Sequence, residues 1–252
     1  MTMTIEQARD FFPRGLMQPE TGFRFAVDAL LLACYARLRR NEWVLDLGTG
    51  CGVVGLGLLL RHGSLNIRIV GLDRDENMSC SALANVRSLG FEDRMGIVRG
   101  DVCDAPRMLP LERTDVVVCN PPYRETGRGR ACFRESRNQA RFLVAASLEA
   151  FVAAAGHVLK NRGRMYIVFL AEGLDRLFAA MQQSRIRPKR VLPVHGRMGD
   201  PARLVLVEGR KNGGQGLVME SPLFLYGTGE NRDRITREAL AFCPFLACNV
   251  GR

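Results

Sequence analysis

Four short apolar runs, each stopped by a polar residue or glycine, constrain this chain more than any other feature. They are WVLDLG (43–48), IRIVGLD (67–73), MGIVRGDV (95–102) and DVVVCN (115–120). Runs this short and this rich in Val, Ile and Leu suit strands buried on both faces. Helical stretches separate them. VVGLGLLLRH (53–62) is apolar almost throughout and reads as a buried helix, and ENMSCSALANVRSLG (76–90) reads as a helix with Gly90 at its C-terminal cap. Arg141–Leu159 reads as a long helix, RMYIVFL (164–170) as a fifth strand and GLDRLFAAMQQS (173–184) as a helix. RVLPVHG (190–196) and RLVLVEG (203–209) follow closely, and so short a connection suits an antiparallel pair. The expected fold class is α/β: a seven-stranded, mostly parallel doubly wound sheet with an antiparallel last strand. Trp43, at the start of the first strand, reads as core.

The strand ends carry chemistry. The first runs into Asp46-Leu47-Gly48-Thr49-Gly50-Cys51-Gly52. Gly48, Gly50 and Gly52 permit a tight turn and a close ligand. The spacing is G-x-G-x-G, with an Asp before it, and this differs from the G-x-G-x-x-G loop that holds a pyrophosphate. A carboxylate at Asp46 repels phosphate but accepts from an ammonium group. Asp73 ends the second strand, 27 residues after Asp46, placed to accept from ribose hydroxyls or to cap the next helix. The third strand ends Gly100-Asp101-Val102, where Asp101 can accept from an adenine amino group while Val102 packs on the ring. Three successive strand ends with acids outline a ligand crevice.

The fourth run breaks at Asn120-Pro121-Pro122-Tyr123. Two prolines fix two φ angles and remove two backbone donors, so neither strand nor helix continues. A turn is the simplest reading. The elbow also offers two acceptors, the Asn120 side-chain oxygen and the Pro121 carbonyl, which suit the hydrogens of a flat conjugated amine. Tyr123 offers a ring on which a base can stack. These four residues are the candidate catalytic set.

The formal net charge is +10, which favours an anionic partner. The charge is clustered: Arg124, Arg128, Arg130, Arg134, Arg137 and Arg141 lie close together, and Arg185, Arg187, Lys189, Arg190 and Arg197 form a second run. The first group is the candidate set for RNA phosphate contacts, with a solvated loop as the alternative. Eight cysteines lack any C-x-x-C spacing, so reduced thiols are expected and no metal site. His62, His157 and His195 are not at catalytic spacing. No apolar run approaches the roughly 18 residues of a membrane span, and MTMTIEQARDFFPRG lacks a secretory pattern, so a cytoplasmic protein is expected.

Residues 43–170 resemble the class I S-adenosylmethionine-dependent methyltransferases. DLGTGCG resembles that family's first motif, Asp73 its acidic second motif, Asp101 its adenine-side acid, and NPPY the motif of amino-group methyltransferases. The stretch Gln18–Ala33, with Arg24, Phe25 and Asp28, resembles the lead-in of a bacterial family. That family methylates N6 of the adenosine just 3′ of the anticodon in a valine tRNA. Arg203-Leu-Val-Leu-Val and Pro222–Tyr226 resemble its tail.

The resemblance implies a Rossmann-like methyltransferase fold, S-adenosyl-L-methionine as cofactor and tRNA as partner. It implies a cofactor set of Phe25, Asp28, Asp46, Gly48, Gly50, Asp73, Asp101, Val102 and Asn120. It also implies one domain over residues 1–252: a lead-in (1–40), a catalytic core (41–211) and a C-terminal extension (212–252). Three alternatives stand beside the tRNA reading: a protein glutamine N5-methyltransferase, a ribosomal guanine N2-methyltransferase, and a non-catalytic RNA-binding module on this fold. The first usually carries a helical domain ahead of its first motif, and here only about 45 residues precede Asp46. The second more often has Phe where this chain has Tyr123. Oligomeric state is not legible in the sequence.

Overall fold

The computed structural model describes residues 5–19, 24–123, 147–229 and 232–249. Its strands are β1 (Trp43–Leu47), β2 (Arg68–Asp73), β3 (Met95–Arg99), β4 (Thr114–Cys119), β5 (Leu159–Leu170), β6 (Ile186–His195), β7 (Ala202–Lys211), β8 (Val218–Met219) and β9 (Leu223–Phe224). They form one sheet in the order β3-β2-β1-β4-β5-β7-β6-β8, with β9 also paired to β6. The first five strands are mutually parallel. β7 lies between β5 and β6 and is antiparallel to both.

All seven expected strands are present, and the sheet has nine among the described residues. The two additional strands are two-residue pairings along the free edge of β6, supported by Glu220 N–H to Val191 O (2.8 Å) and Leu225 N–H to His195 O (3.0 Å). They satisfy backbone groups that an open edge would leave unpaired. Segments this short carry no periodicity to read.

The helices are α1 (Ile5–Phe11), α2 (Val27–Tyr35), α3 (Val53–Arg61), α4 (Glu76–Ser88), α5 (Ala105–Met108), α6 (Leu148–Val158), α7 (Leu174–Gln183) and α8 (Arg237–Phe242). Two apolar layers cover the sheet. In β4, Val116 and Val118 face the layer holding α2 and α3, while Val117 and Cys119 face α6 and α7. Alternate residues of a strand point to opposite faces. A run that is apolar at every position therefore marks a strand covered on both sides. Residues Val53–Leu60 of α3 are all buried, as their composition implies.

Trp43 departs from expectation. It is 45% exposed, and the Arg68 guanidinium lies over its ring at 5.5 Å. It sits on the first residue of β1, ahead of the covered part of the sheet. Cys34, Cys51, Cys119 and Cys243 are buried free thiols, whereas Cys80 and Cys103 are exposed. No cluster of metal-ligating side chains occurs among the described residues. No helix among them is long and apolar enough to cross a membrane.

Because β1 to β5 run parallel, their C-terminal ends share one edge. The chain order reverses between β1 and β4, and the crevice of an open α/β sheet lies at such a switch point.

Candidate active site

The glycine loop is tied to the end of β2. Gly48 N–H (2.8 Å) and Thr49 N–H (3.0 Å) both donate to Leu72 O, and Gly50 N–H donates to Asp73 Oδ2 at 2.8 Å. Gly48 has φ +70, and a Cβ there would sit 3.0 Å from the Phe151 ring. Gly50 has φ +55, and a Cβ there would meet nothing within 4 Å. One glycine is required by packing and backbone together. The other leaves open space over the loop.

Asp46 is fully buried. Its Oδ2 accepts from the Thr49 hydroxyl (2.7 Å) and from Gly55 N–H (3.1 Å), while its Oδ1 has no partner among the described residues. Burial raises the carboxyl to about 7, against the lowering effect of those two hydrogen bonds. An acceptor buried without a partner is costly and calls for a donor.

Asp73 is not the cap of α4. Asp75 holds that position, accepting from Met78 N–H at 3.1 Å. The Asp73 carboxylate instead joins two backbones, accepting from Gly50 N–H through Oδ2 and from Asp75 N–H through Oδ1 (2.9 Å). Burial raises its pKa, opposed by those hydrogen bonds. Asp101 follows β3, accepts from Cys103 N–H at 2.9 Å and lies 3.6 Å from Arg74. Val102 is 6% exposed and packs in the apolar layer with Leu72 and Ala105.

Asn120 follows β4 and is half-buried. Register pairs Asp46 with Val118 and Leu47 with Cys119, so the glycine loop and the Asn-Pro-Pro-Tyr elbow leave neighbouring strands together. Pro121 is buried, Pro122 exposed and Tyr123 half-buried. The Tyr123 ring packs edge-on against Phe169 with centroids 6.0 Å apart. Its hydroxyl lies 2.6 Å from Asp28 Oδ2 and 3.1 Å from the Asn120 side-chain oxygen. Asp28 is buried in the first turn of α2, and its Oδ1 accepts from Ala29 N–H at 2.8 Å. The N-cap of α2 is Ala26, so Asp28 is not the cap. Phe25 is half-buried, and its N–H donates to Gln18 Oε1 at 3.1 Å. Arg124, Arg128, Arg130, Arg134, Arg137 and Arg141 lie outside the described residues.

The model of the methyltransferase small domain family matches residues 26–183. The chain belongs to that family. It is an S-adenosylmethionine-dependent methyltransferase.

Three curated relatives of this methyltransferase are each named tRNA1(Val) (adenine(37)-N6)-methyltransferase. The Actinobacillus succinogenes protein is 30% identical over 149 residues, 59% of this chain and 61% of its own length. The Dickeya chrysanthemi protein is 28% identical over 190 residues, 75% of this chain and 74% of its own. The Actinobacillus pleuropneumoniae protein is 25% identical over 205 residues, 81% of this chain and 84% of its own. Among solved structures, one described as a predicted O-methyltransferase of Agrobacterium tumefaciens superposes with a TM-score of 0.70 at 21% identity. It covers 87% of this methyltransferase and 96% of its own chain. That likeness is one of fold.

The donor set suits the cofactor. The unpartnered Asp46 oxygen is an acceptor for an ammonium group, and the open face of Gly50 admits a ligand against the backbone. Sequence reading passed over several supports of this site. The Thr49 hydroxyl fixes one Asp46 oxygen, and Phe151 walls the loop at Gly48. Asn85 is fully buried, and its side-chain nitrogen donates to Met17 O and Cys51 O, both at 2.9 Å. It thus links the N-terminal segment to the glycine loop. A single Asn on the buried stripe of α4 is the signal that could have revealed it.

Proposed function

We propose that this methyltransferase acts on the exocyclic N6 amine of an adenine in tRNA. The observation that carries the reading is the Asn-Pro-Pro-Tyr elbow on β4, directly beside the glycine loop on β1. The names of the relatives support an adenine of tRNA as the acceptor.

Asp46 holds the cofactor's ammonium group, and Asp73 accepts from its ribose hydroxyls. Asp101 and Val102 line the adenine end, and Phe25 and Asp28 close the crevice from the N-terminal side. S-adenosylmethionine supplies an electrophilic methyl group on a sulfonium. Asn120 and the Pro121 carbonyl accept the two hydrogens of the target amine. An exocyclic amine conjugated to its ring is a poor nucleophile, and the two acceptors bias its lone pair away from the ring towards the methyl group. The nitrogen–carbon bond would form as the sulfur–methyl bond breaks, the sulfur keeping the electron pair as a neutral thioether, and the amine gives up one proton, which leaves to water. Tyr123 presents a ring already braced by Phe169, and the base stacks on what remains of its face.

The six arginines that follow the elbow in the sequence (124, 128, 130, 134, 137 and 141) are assigned the phosphate contacts. An anticodon loop presents its bases unstacked, so little energy is spent extruding one. The chain works as one domain in the cytoplasm.

The direct test is transfer of labelled methyl from the cofactor to total tRNA, total ribosomal RNA and a release factor in parallel. Label in tRNA, recovered as N6-methyladenosine, is expected. Label in the protein alone overturns the reading, and failure to bind the cofactor at all points to a non-catalytic module. Salt gives a second check. With six phosphate contacts, tRNA affinity should fall about a thousandfold between 50 and 200 mM salt, measured by filter binding. Affinity indifferent to salt removes the arginines from the interface.

A further inference from the structure

Asp28, Tyr123 and Asn120 meet although Asp28 and Tyr123 stand 95 positions apart. The Tyr123 hydroxyl has acceptors on two sides: Asp28 Oδ2 at 2.6 Å and the Asn120 side-chain oxygen at 3.1 Å. A phenol has one proton, so it satisfies only one of them. The shorter contact is to a carboxylate, and charge-assisted hydrogen bonds are the stronger kind. The proton therefore points at Asp28. The Tyr123 oxygen then has only lone pairs to offer Asn120, and two oxygens would face each other without a hydrogen between them. Half a turn of the Asn120 amide removes this conflict, because the amide oxygen and nitrogen are nearly isosteric. The nitrogen then donates to Tyr123, and the carbonyl oxygen faces away from the hydroxyl.

We propose that Asp28 is a positioning residue that, through the Tyr123 hydroxyl, turns the Asn120 amide so that its oxygen faces the crevice as an acceptor for the target amine. The proposal rests on the amine-methylating reading of the elbow. It adds what decides the polarity of that elbow. With the amide reversed, Asn120 would present N–H groups to the N–H groups of the substrate. Burial, and next the Asp28 charge, push the Tyr123 phenol far above its ordinary range, so it keeps its proton as a donor at any working pH. Asp28 does not touch the substrate. It acts at one remove and is held in place by Ala29 N–H on its other oxygen.

The test uses the full chain and two measurements. In the first, kcat and the KM for S-adenosylmethionine are measured on whichever acceptor takes label, for Asp28→Ala, Asp28→Asn, Tyr123→Phe and the double variant Asp28→Ala/Tyr123→Phe. Asp28→Ala and Tyr123→Phe should each lower kcat about 30-fold and leave the KM for S-adenosylmethionine within about twofold. The double variant should be no worse than either single, because both break one chain of hydrogen bonds. Asp28→Asn keeps an oxygen acceptor and should recover to within about fivefold of the parent. Multiplying losses in the double variant, or a raised KM with kcat unchanged, overturns the proposal and returns Asp28 to cofactor binding.

The second measurement needs no substrate. In the ¹⁵N-labelled protein, Tyr123→Phe should move one of the two Asn120 side-chain amide proton resonances upfield and leave the other in place. If neither moves, the amide does not donate to Tyr123. If tRNA takes no label while this shift appears, the substrate reading fails and the positioning chain stands.

Discussion

Replacing Asn120 with alanine should lower kcat for methyl transfer about a thousandfold, with S-adenosylmethionine affinity changed by no more than about threefold. The size follows from what the residue is asked to do. In the proposed reaction it is one of two acceptors at the reacting nitrogen, and a placed hydrogen-bonding group of this kind is typically worth two to three powers of ten. The small effect on affinity follows from position. Asn120 leaves β4 at the elbow, whereas Asp46, Asp73 and the glycine loop belong to β1 and β2. Calorimetric titration of the cofactor and single-turnover transfer of labelled methyl measure the two quantities separately. Full activity in this variant would falsify the mechanism, and lost cofactor binding would move Asn120 from the acceptor side to the cofactor side.

The second large effect belongs to Asp46. Its carboxyl titrates at about 7 in the folded protein instead of 3.8. Between those values the folded chain holds a proton that the unfolded chain has released. The group's stabilising contribution is therefore fully present below pH 3.8 and is lost as pH rises through about 7. Above that, ionised Asp46 costs the cofactor-free protein up to about 4 kcal/mol.

Asp46→Asn removes the charge at every pH but leaves an amide nitrogen where the unpartnered oxygen was, which returns about 2 kcal/mol. The cofactor-free variant should thus be about 2 kcal/mol more stable than the parent at pH 8. At pH 4 the advantage should vanish or reverse. Denaturant melts at the two pH values test the sign, and a difference that does not change with pH sinks the assignment. The same substitution should weaken S-adenosylmethionine binding about a hundredfold, because it removes one member of the proposed charge pair with the cofactor's ammonium group. In the parent protein, affinity should climb between about pH 6 and 8 as Asp46 ionises.

The parallel sheet was legible because its strands are covered on both faces. Val116–Cys119 is apolar at every position, and so is the helix Val53–Leu60 in the layer that one face of this strand joins. Strand-end acids were legible because a parallel sheet brings the ends of β1, β2 and β3 to one edge.

What stayed hidden depends on contacts rather than on pattern. Nothing in a linear reading places the Asp28 carboxylate 2.6 Å from a phenol 95 positions away, or shows Asn85 joining Met17 to Cys51. The exposed Trp43 was misread because the first residue of a strand can project beyond the layers that cover the rest. β8 and β9 escaped because two-residue pairings have no period. Asp73 suited a helix cap as well as a ribose acceptor, and the cap is Asp75.

The pairing of β1 with β4 has a mechanical meaning. Adjacent strands in a sheet are separated by about 4.8 Å, and hydrogen bonds along their length hold that spacing stiffly. In the proposed reaction, methyl donor and acceptor are held at the ends of two such strands. On that reading, the distance a methyl group must cross follows from the ladder joining Val44–Leu47 to Val116–Cys119. A site built this way has little freedom to loosen by degrees as temperature rises. Activity and near-ultraviolet circular dichroism should disappear together in one transition.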